Sequence, residues 1–92
     1  MADDPQRATV TIKNKLGMHA RPAMAFVDLA NQYRSEVTVH RKGQVVDGKS
    51  IMQMMMLAAT EGTELDIEAR GPDAEQAIRD LCELVARRFD EE

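Results

Sequence analysis

The apolar residues of this chain change their spacing several times along the sequence, and this limits the folds that the chain can adopt. Ala8, Val10 and Ile12 alternate with polar residues, as in a strand with one buried face. The same alternation returns at residues 36–40 and 64–70, and residues 45–46 make a short strand between them. In the intervening segments, apolar residues recur every three or four positions, as in amphipathic helices. The pattern predicts the order βαββαβα.

Each of the three predicted helices has its own start signal. The first has Pro22 in its first turn, where the missing proline N–H costs nothing. The second opens at Ser50 with the Ser-x-x-Gln form of a capping box, in which Gln53 reciprocates, and it is predicted to end near Gly62. The third follows Gly71-Pro72-Asp73, and its apolar stripe comprises Ala77, Ile78, Leu81, Cys82, Val85 and Phe89.

Because every helix and strand has one apolar face, the simplest packing is a two-layer α/β (α+β) sandwich. We expect a four-stranded, mostly antiparallel sheet, covered on one face by the three helices. With 92 residues, the chain fits a single domain over residues 1–92, in which residues 1–6 form a frayed end. The other face of the sheet is expected to meet water through Thr9, Thr11, Lys13, Thr38, Asp66 and Glu68.

Composition excludes several classes of function. The formal net charge is −4 and the pI is about 5.1, which argues against nucleic-acid binding and suits docking on a basic patch of a protein partner. No run of about 18 apolar residues is present, so we expect no membrane insertion. The single cysteine and the lack of an apolar leader predict a cytoplasmic protein, and a diffusing monomer is the default.

The segment KLGMHARPAMAF places His19 and Arg21 at the start of the first predicted helix. A helix N-terminus is an anion site, with unpaired N–H groups and the positive end of the dipole. A neutral histidine nitrogen there is available as a nucleophile. If it accepted a phosphoryl group, the N–H groups of the first turn, including that of Ala20, could hold the phosphoryl oxygens. Arg21 would add a charged donor, and Gly17 would allow close approach of the loop.

GMHARPAMAF closely resembles the active-site signature of the histidine-containing phosphocarrier (HPr) proteins of the bacterial phosphotransferase system. The segment DGKSIM, the strand entry GTEL and the last helix also fall where that family has them. The resemblance implies an open-faced sandwich with sheet order 1-4-2-3. It implies that enzyme I transfers phosphate from phosphoenolpyruvate to Nδ1 of His19, that Arg21 assists, and that an enzyme IIA receives it. Such a protein is a carrier and not a stand-alone catalyst, and needs no cofactor.

The resemblance also implies a regulatory and a docking surface. Ser50 matches the serine that an HPr kinase/phosphorylase phosphorylates in many members, although Gln53 stands where a glycine is frequent. Ile51, Met52 and Met55 match the apolar positions that contact enzyme I and enzyme IIA. Met24 is expected at the rim, because it lies off the apolar face of the first helix.

Several alternatives remain open from the sequence. Met24 and the FDEE tail resemble the nitrogen-related branch (NPr), whereas GKSIM resembles the kinase-regulated carriers. A regulatory binding module would use the same docking face without relaying phosphate. A small-ligand or metal-binding sandwich is a third possibility, but no metal-ligand spacing is present, and no metal site is predicted. The acidic tail, Asp90-Glu91-Glu92, is expected to be solvated.

Overall fold

The computed structural model describes residues 4–91, which form four strands and three helices. In chain order these are β1 (Gln6–Thr11), α1 (Ala20–Ala30), β2 (Glu36–Arg41), β3 (Gln44–Asp47), α2 (Ile51–Met56), β4 (Glu64–Arg70) and α3 (Ala74–Ala86). A short C-terminal turn, Arg88–Asp90, follows α3. The predicted order βαββαβα is confirmed.

All strand pairs are antiparallel, and the sheet order is β1-β4-β2-β3. β4 is therefore central, with Ala8 and Val39 both opposite Ile67 on its two sides. The order implied by the family resemblance is confirmed.

The core lies between one face of the sheet and the helices. The strands contribute Val37, Val39, Leu65 and Ile67, which are almost fully buried because they alternate with polar residues that face away. Phe26, Met54 and Leu81 fill the helical side, one from each helix. On the opposite face, Thr9 donates to Asp66 at 2.6 Å, in keeping with the predicted polar surface.

Three element boundaries differ from the prediction. β1 begins at Gln6, which pairs with Ala69, so the strand starts inside the segment expected to be frayed; residues 1–3 of that segment lie outside the described residues. α3 ends at Ala86, so Phe89, which was predicted to lie on the apolar stripe of the last helix, falls in the turn that follows. α1 begins at Ala20, and Pro22 lies in its first turn, as predicted. No helix of residues 4–91 is long and apolar enough to cross a membrane.

The third difference is the end of α2, which stops at Met56 and not near Gly62. Ala58 has a φ of 50°, a left-handed conformation that a helix cannot continue through. The Arg41 guanidinium donates to the Leu57 carbonyl at 2.6 Å, and so occupies an acceptor that a longer helix would use. Contacts with β2 therefore end this helix early.

Candidate functional site

His19 is the residue that precedes the first turn of α1. Its backbone is extended, with φ −81° and ψ −172°, and its carbonyl accepts the Ala23 N–H at 3.0 Å, which starts the helix. Its side chain makes no capping hydrogen bond, although many residues at this position do. The imidazole is therefore held at the helix start while its ring nitrogens remain available for other contacts; 36% of the side chain is exposed.

The loop before His19 is fixed by a buried asparagine and a glycine. Asn14 is fully buried, and its Nδ2 donates to the Gly17 carbonyl at 2.7 Å. Gly17 has a φ of +71°, and a β-carbon there would lie 2.4 Å from the Ala59 carbonyl oxygen. Only glycine fits this position without a backbone shift. The close approach that Gly17 makes in the structure is to the segment after α2, whereas the sequence led us to expect an approach to the phosphoryl group.

Ala20 and Arg21 form the start of the first turn of α1, and both are exposed. Backbone N–H groups at this position have no carbonyl one turn earlier within the helix, so they can donate to an anion. The first turn contains no acidic residue. The structure thus places the predicted nucleophile His19, the N–H donors and the exposed Arg21 at one helix end.

Glu91 belongs to this site, although the acidic tail was expected to be solvated. Its Oε1 lies 3.1 Å from Nε2 of His19 and 2.9 Å from Nδ2 of Asn14. Partial burial acts to raise the pKa of Glu91, but hydrogen bonds from Asn14 and His19, together with the charges of His19 and Arg21, hold that pKa below its ordinary value. The solvated-tail prediction is therefore wrong for Glu91. Glu92 lies outside the described residues, and exposed Asp90 pairs with Arg87.

The C-terminal turn directs Glu91 towards His19. Arg88, Phe89 and Asp90 all have φ between 55° and 61°, so three consecutive non-glycine residues are left-handed. This conformation costs about 1–2 kcal/mol per residue for L-amino acids. Phe89 is 7% exposed and anchors the turn in the core. In the sequence, the apolar Phe89 directly before the acidic residues was the one indication that the end of the chain packs against the domain.

Ser50 caps α2, as predicted. The Gln53 N–H donates to Ser50 Oγ at 3.2 Å. The reciprocal half of the capping box is wrong, because Gln53 Oε1 accepts from the Asp47 N–H at 2.9 Å, and Ser50 N–H donates to the Asp47 carbonyl. The turn that leads into Ser50 is therefore bound to the helix that follows it.

An apolar surface extends over α1 and α2, which pack against each other. The four predicted docking residues are exposed, from 37% for Ile51 to 79% for Met52, with Met55 and Met24 between them. Met54 is fully buried, so the helix has a core side and an exposed side. Met56 on α2 and Leu16 in the loop before His19 are also exposed, and neither was predicted as a docking residue. Exposed apolar residues on two neighbouring helices are suited to contact with another protein.

His40 and Cys82 lie apart from this site. His40 is on the open face of the sheet, with Nε2 3.1 Å from Thr38 Oγ1 and 3.3 Å from Glu68 Oε1. Cys82 is half-buried in α3, and burial raises the pKa of its thiol. Across residues 4–91, no group of three or more His, Cys, Asp or Glu residues is placed to hold a metal ion.

Comparison with known proteins identifies a family. Residues 6–87 match the family model described as the PTS HPr component phosphorylation site. The chain is 49% identical over 83 residues to the phosphocarrier protein HPr of Pseudomonas aeruginosa, covering 89% of this chain and 92% of the relative. It is 43% identical to the phosphocarrier protein NPr of Proteus mirabilis, covering 95% and 98%. The solved structure of an HPr from Thermoanaerobacter tengcongensis superposes with a TM-score of 0.91 at 40% identity, covering 95% and 98% of the two chains.

Proposed function

Because the chain belongs to the HPr family of phosphocarriers of the phosphotransferase system, we propose that it carries a phosphoryl group on Nδ1 of His19. The group comes from phosphoenolpyruvate through enzyme I and passes to an enzyme IIA. The observation that carries this proposal is the position of His19, whose imidazole stands at the open N-terminus of α1 beside the exposed Arg21.

In the proposed transfer, the lone pair of Nδ1 attacks phosphorus, and the bond from phosphorus to the donor breaks as the N–P bond forms. The first-turn N–H groups, including that of Ala20, bind phosphoryl oxygens, and the Arg21 guanidinium offsets charge on them. Gly17 keeps the loop in place against Ala59. In delivery, the bond between Nδ1 and phosphorus breaks as the acceptor forms its own bond to phosphorus. The protein therefore acts as a reactant and not as a stand-alone enzyme.

The apolar surface of Met24, Ile51, Met52 and Met55 is proposed to dock on enzyme I and enzyme IIA. Its exposure and its place on the two helices that directly follow His19 and Ser50 support this role. Ser50 is proposed as a regulatory phosphorylation site for an HPr kinase/phosphorylase. A phosphate there would sit at a helix start that tolerates it, while adding negative charge beside the docking surface.

Two alternatives concern the pathway. The NPr relative, Met24 and the FDEE tail favour a nitrogen-related carrier, whereas the HPr relative and the GKSIM segment favour a kinase-regulated carrier, and the sugar-transport and nitrogen-related pathways both stay open. A regulatory module that binds partners without relaying phosphate would use the same surface. We propose a cytoplasmic monomer in each case, and its size in solution is measurable by light scattering.

The test incubates the protein with phosphoenolpyruvate and a sugar-system or nitrogen-system enzyme I, followed by intact-mass analysis. We expect one acid-labile phosphoryl group that is absent from His19→Ala. The matched control is His40→Ala, because His40 is the second of the two histidines and lies on the other face of the sheet. The absence of label with both enzymes would contradict the carrier function and favour the regulatory module. The enzyme I that labels faster identifies the branch.

A further inference from the structure

Glu91 contacts the proposed phosphohistidine from beyond residues 6–87, the part of the chain that matches the family model. The contact is made by Nε2 of His19, at 3.1 Å, and not by Nδ1. An ionised carboxylate has no proton and can only accept hydrogen bonds. The proton of a neutral His19 ring that keeps this contact is therefore on Nε2, and the lone pair is on Nδ1.

The Glu91 carboxylate is held in position from the loop side as well. The same Oε1 accepts from Nδ2 of Asn14, at 2.9 Å. Asn14 is fully buried and also binds the Gly17 carbonyl, so one rigid side chain fixes both the loop before His19 and the acid that contacts it. The buried side chain of Asn14 therefore helps to fix the distance between the Glu91 carboxylate and the His19 ring.

The backbone of the C-terminal turn gives an independent reason to assign a role to Glu91. Three successive residues, Arg88, Phe89 and Asp90, adopt left-handed conformations, which L-residues rarely do in series. Backbone strain of this kind persists where the surrounding structure fixes it, and such places are often functional. Here the turn brings the carboxylate that follows it to His19.

We propose that Glu91 is a positioning residue for phosphoryl transfer, which fixes His19 in the Nε2–H tautomer so that Nδ1 presents its lone pair. This inference rests on the proposed carrier function. In the transfer step, the bond between Nδ1 and phosphorus forms as the bond from phosphorus to the donor breaks. The Nε2 proton stays on its nitrogen, hydrogen-bonded to Glu91. The carboxylate also stabilises the positive charge that the ring gains when both nitrogens are substituted.

The experiment compares wild type with Glu91→Ala, Glu91→Gln and the control Asp90→Asn. The control removes one acidic charge from the same turn, keeps an acceptor for Arg87 and does not touch His19. Imidazole 15N NMR spectra, recorded at about pH 8.5 where an ordinary histidine is neutral, report the tautomer directly. Phosphoryl transfer from enzyme I is then timed for each protein.

We expect Glu91→Ala to move His19 towards the Nδ1–H tautomer. We also expect it to slow transfer about 10-fold, by analogy with the lower end of the cost of losing the hydrogen-bond partner that orients a metal-binding histidine. Glu91→Gln retains an acceptor oxygen, so it should keep the tautomer and recover part of the rate. An unchanged tautomer in Glu91→Ala, or the same change in Asp90→Asn, would overturn the proposal. If even wild type takes no phosphate, the carrier function fails, while the NMR comparison still decides whether Glu91 sets the tautomer.

Discussion

Gly17 lies against the backbone of Ala59 with no room for a side chain: an added β-carbon would be 2.4 Å from the Ala59 carbonyl oxygen. The neighbouring Met18 N–H donates to that same oxygen at 2.8 Å. The loop that carries His19 is thus joined, backbone to backbone, to the segment that follows α2. A shift of the segment that follows α2 would therefore also shift the loop that carries the proposed phosphorylation site.

Replacing Gly17 with alanine should therefore disturb both stability and phosphoryl uptake. We expect a loss of about 1–2 kcal/mol for the left-handed backbone and a further 1–3 kcal/mol, roughly, for overpacking. The control is Gly62→Ala, which also has a positive φ, of +90°, but no atom within 4 Å of the new β-carbon. Urea unfolding measures the difference, and equal losses in the two variants would contradict the close-contact explanation.

Arg21→Ala should slow phosphoryl transfer and leave the fold intact, because Arg21 is exposed and the core does not depend on it. Loss of one donor to developing charge costs up to about 10²–10³-fold in rate, and we expect at least about 10-fold at this open site. Rapid-quench kinetics with enzyme I measure the rate. Arg79→Ala, an exposed arginine on α3, is the control. An equal rate for Arg21→Ala and wild type would show that Arg21 takes no part in phosphoryl transfer.

We expect the partner surface that lies next to Ser50 to be acidic, so Ser50→Asp should weaken docking to enzyme I by charge repulsion while preserving the cap of α2. The matched control is Ser50→Asn, because asparagine caps a helix as well as aspartate does but adds no charge. Calorimetric titration at low and high salt should give weaker binding for the aspartate variant, and the difference should shrink as salt screens the charge. Equal affinities at low salt would count against a charge-based control by Ser50.

Met52→Ala should weaken docking without lowering stability, because 79% of this side chain is exposed. Loss of one exposed apolar contact at an interface is expected to raise Kd about 10-fold, or ~1.4 kcal/mol. Val45→Ala provides the control, since Val45 is 55% exposed and lies beside His40 on the open face of the sheet. Similar small effects of both substitutions would indicate that the partner docks elsewhere.

Asp73 should make stability depend on acid pH. Hydrogen bonds from the Ser35 side chain and the Arg34 backbone lower its pKa from 3.8 to about 2 in the folded protein. A depressed pKa gives stability that is present above about pH 4 and is lost as the pH falls towards 2. Asp73→Asn should flatten the fall in urea midpoint between pH 4 and 2, and Ser35→Ala should reduce it. An unchanged pH profile in both variants would show that another group controls acid stability.

Much of the fold follows from local patterns. Strand alternation at Val37, Val39, Leu65 and Ile67 identifies the buried face. The Ser-x-x-Gln pattern of residues 50–53 is enough to predict that Ser50 caps α2. The strand order does not follow from periodicity, because β1 pairs with a strand more than fifty residues later; it came from the family resemblance.

The errors share a physical cause, which is tertiary contact overriding local preference. α2 ends early because Arg41 and Met18 take the carbonyls of Leu57 and Ala59. Gln53 turns away from Ser50 because the Asp47 N–H competes for its oxygen. Glu91 was missed because nothing in the local sequence around Phe89 favours a left-handed turn, which burial of Phe89 and the contacts of Glu91 hold in place.

The central position of β4 also has a consequence for how the chain folds. β1 and β2 do not pair with each other; each pairs with β4, which begins only at Glu64. During synthesis from the N-terminus, the β2–β3 hairpin can form early, but β1 has no neighbour until residues 64–70 are available. Closure of the sheet is a long-range event, so folding is expected to be slower than in a helical protein of this size. The His19 loop, which is held by Ala59 and Glu91, takes its final form only after that event.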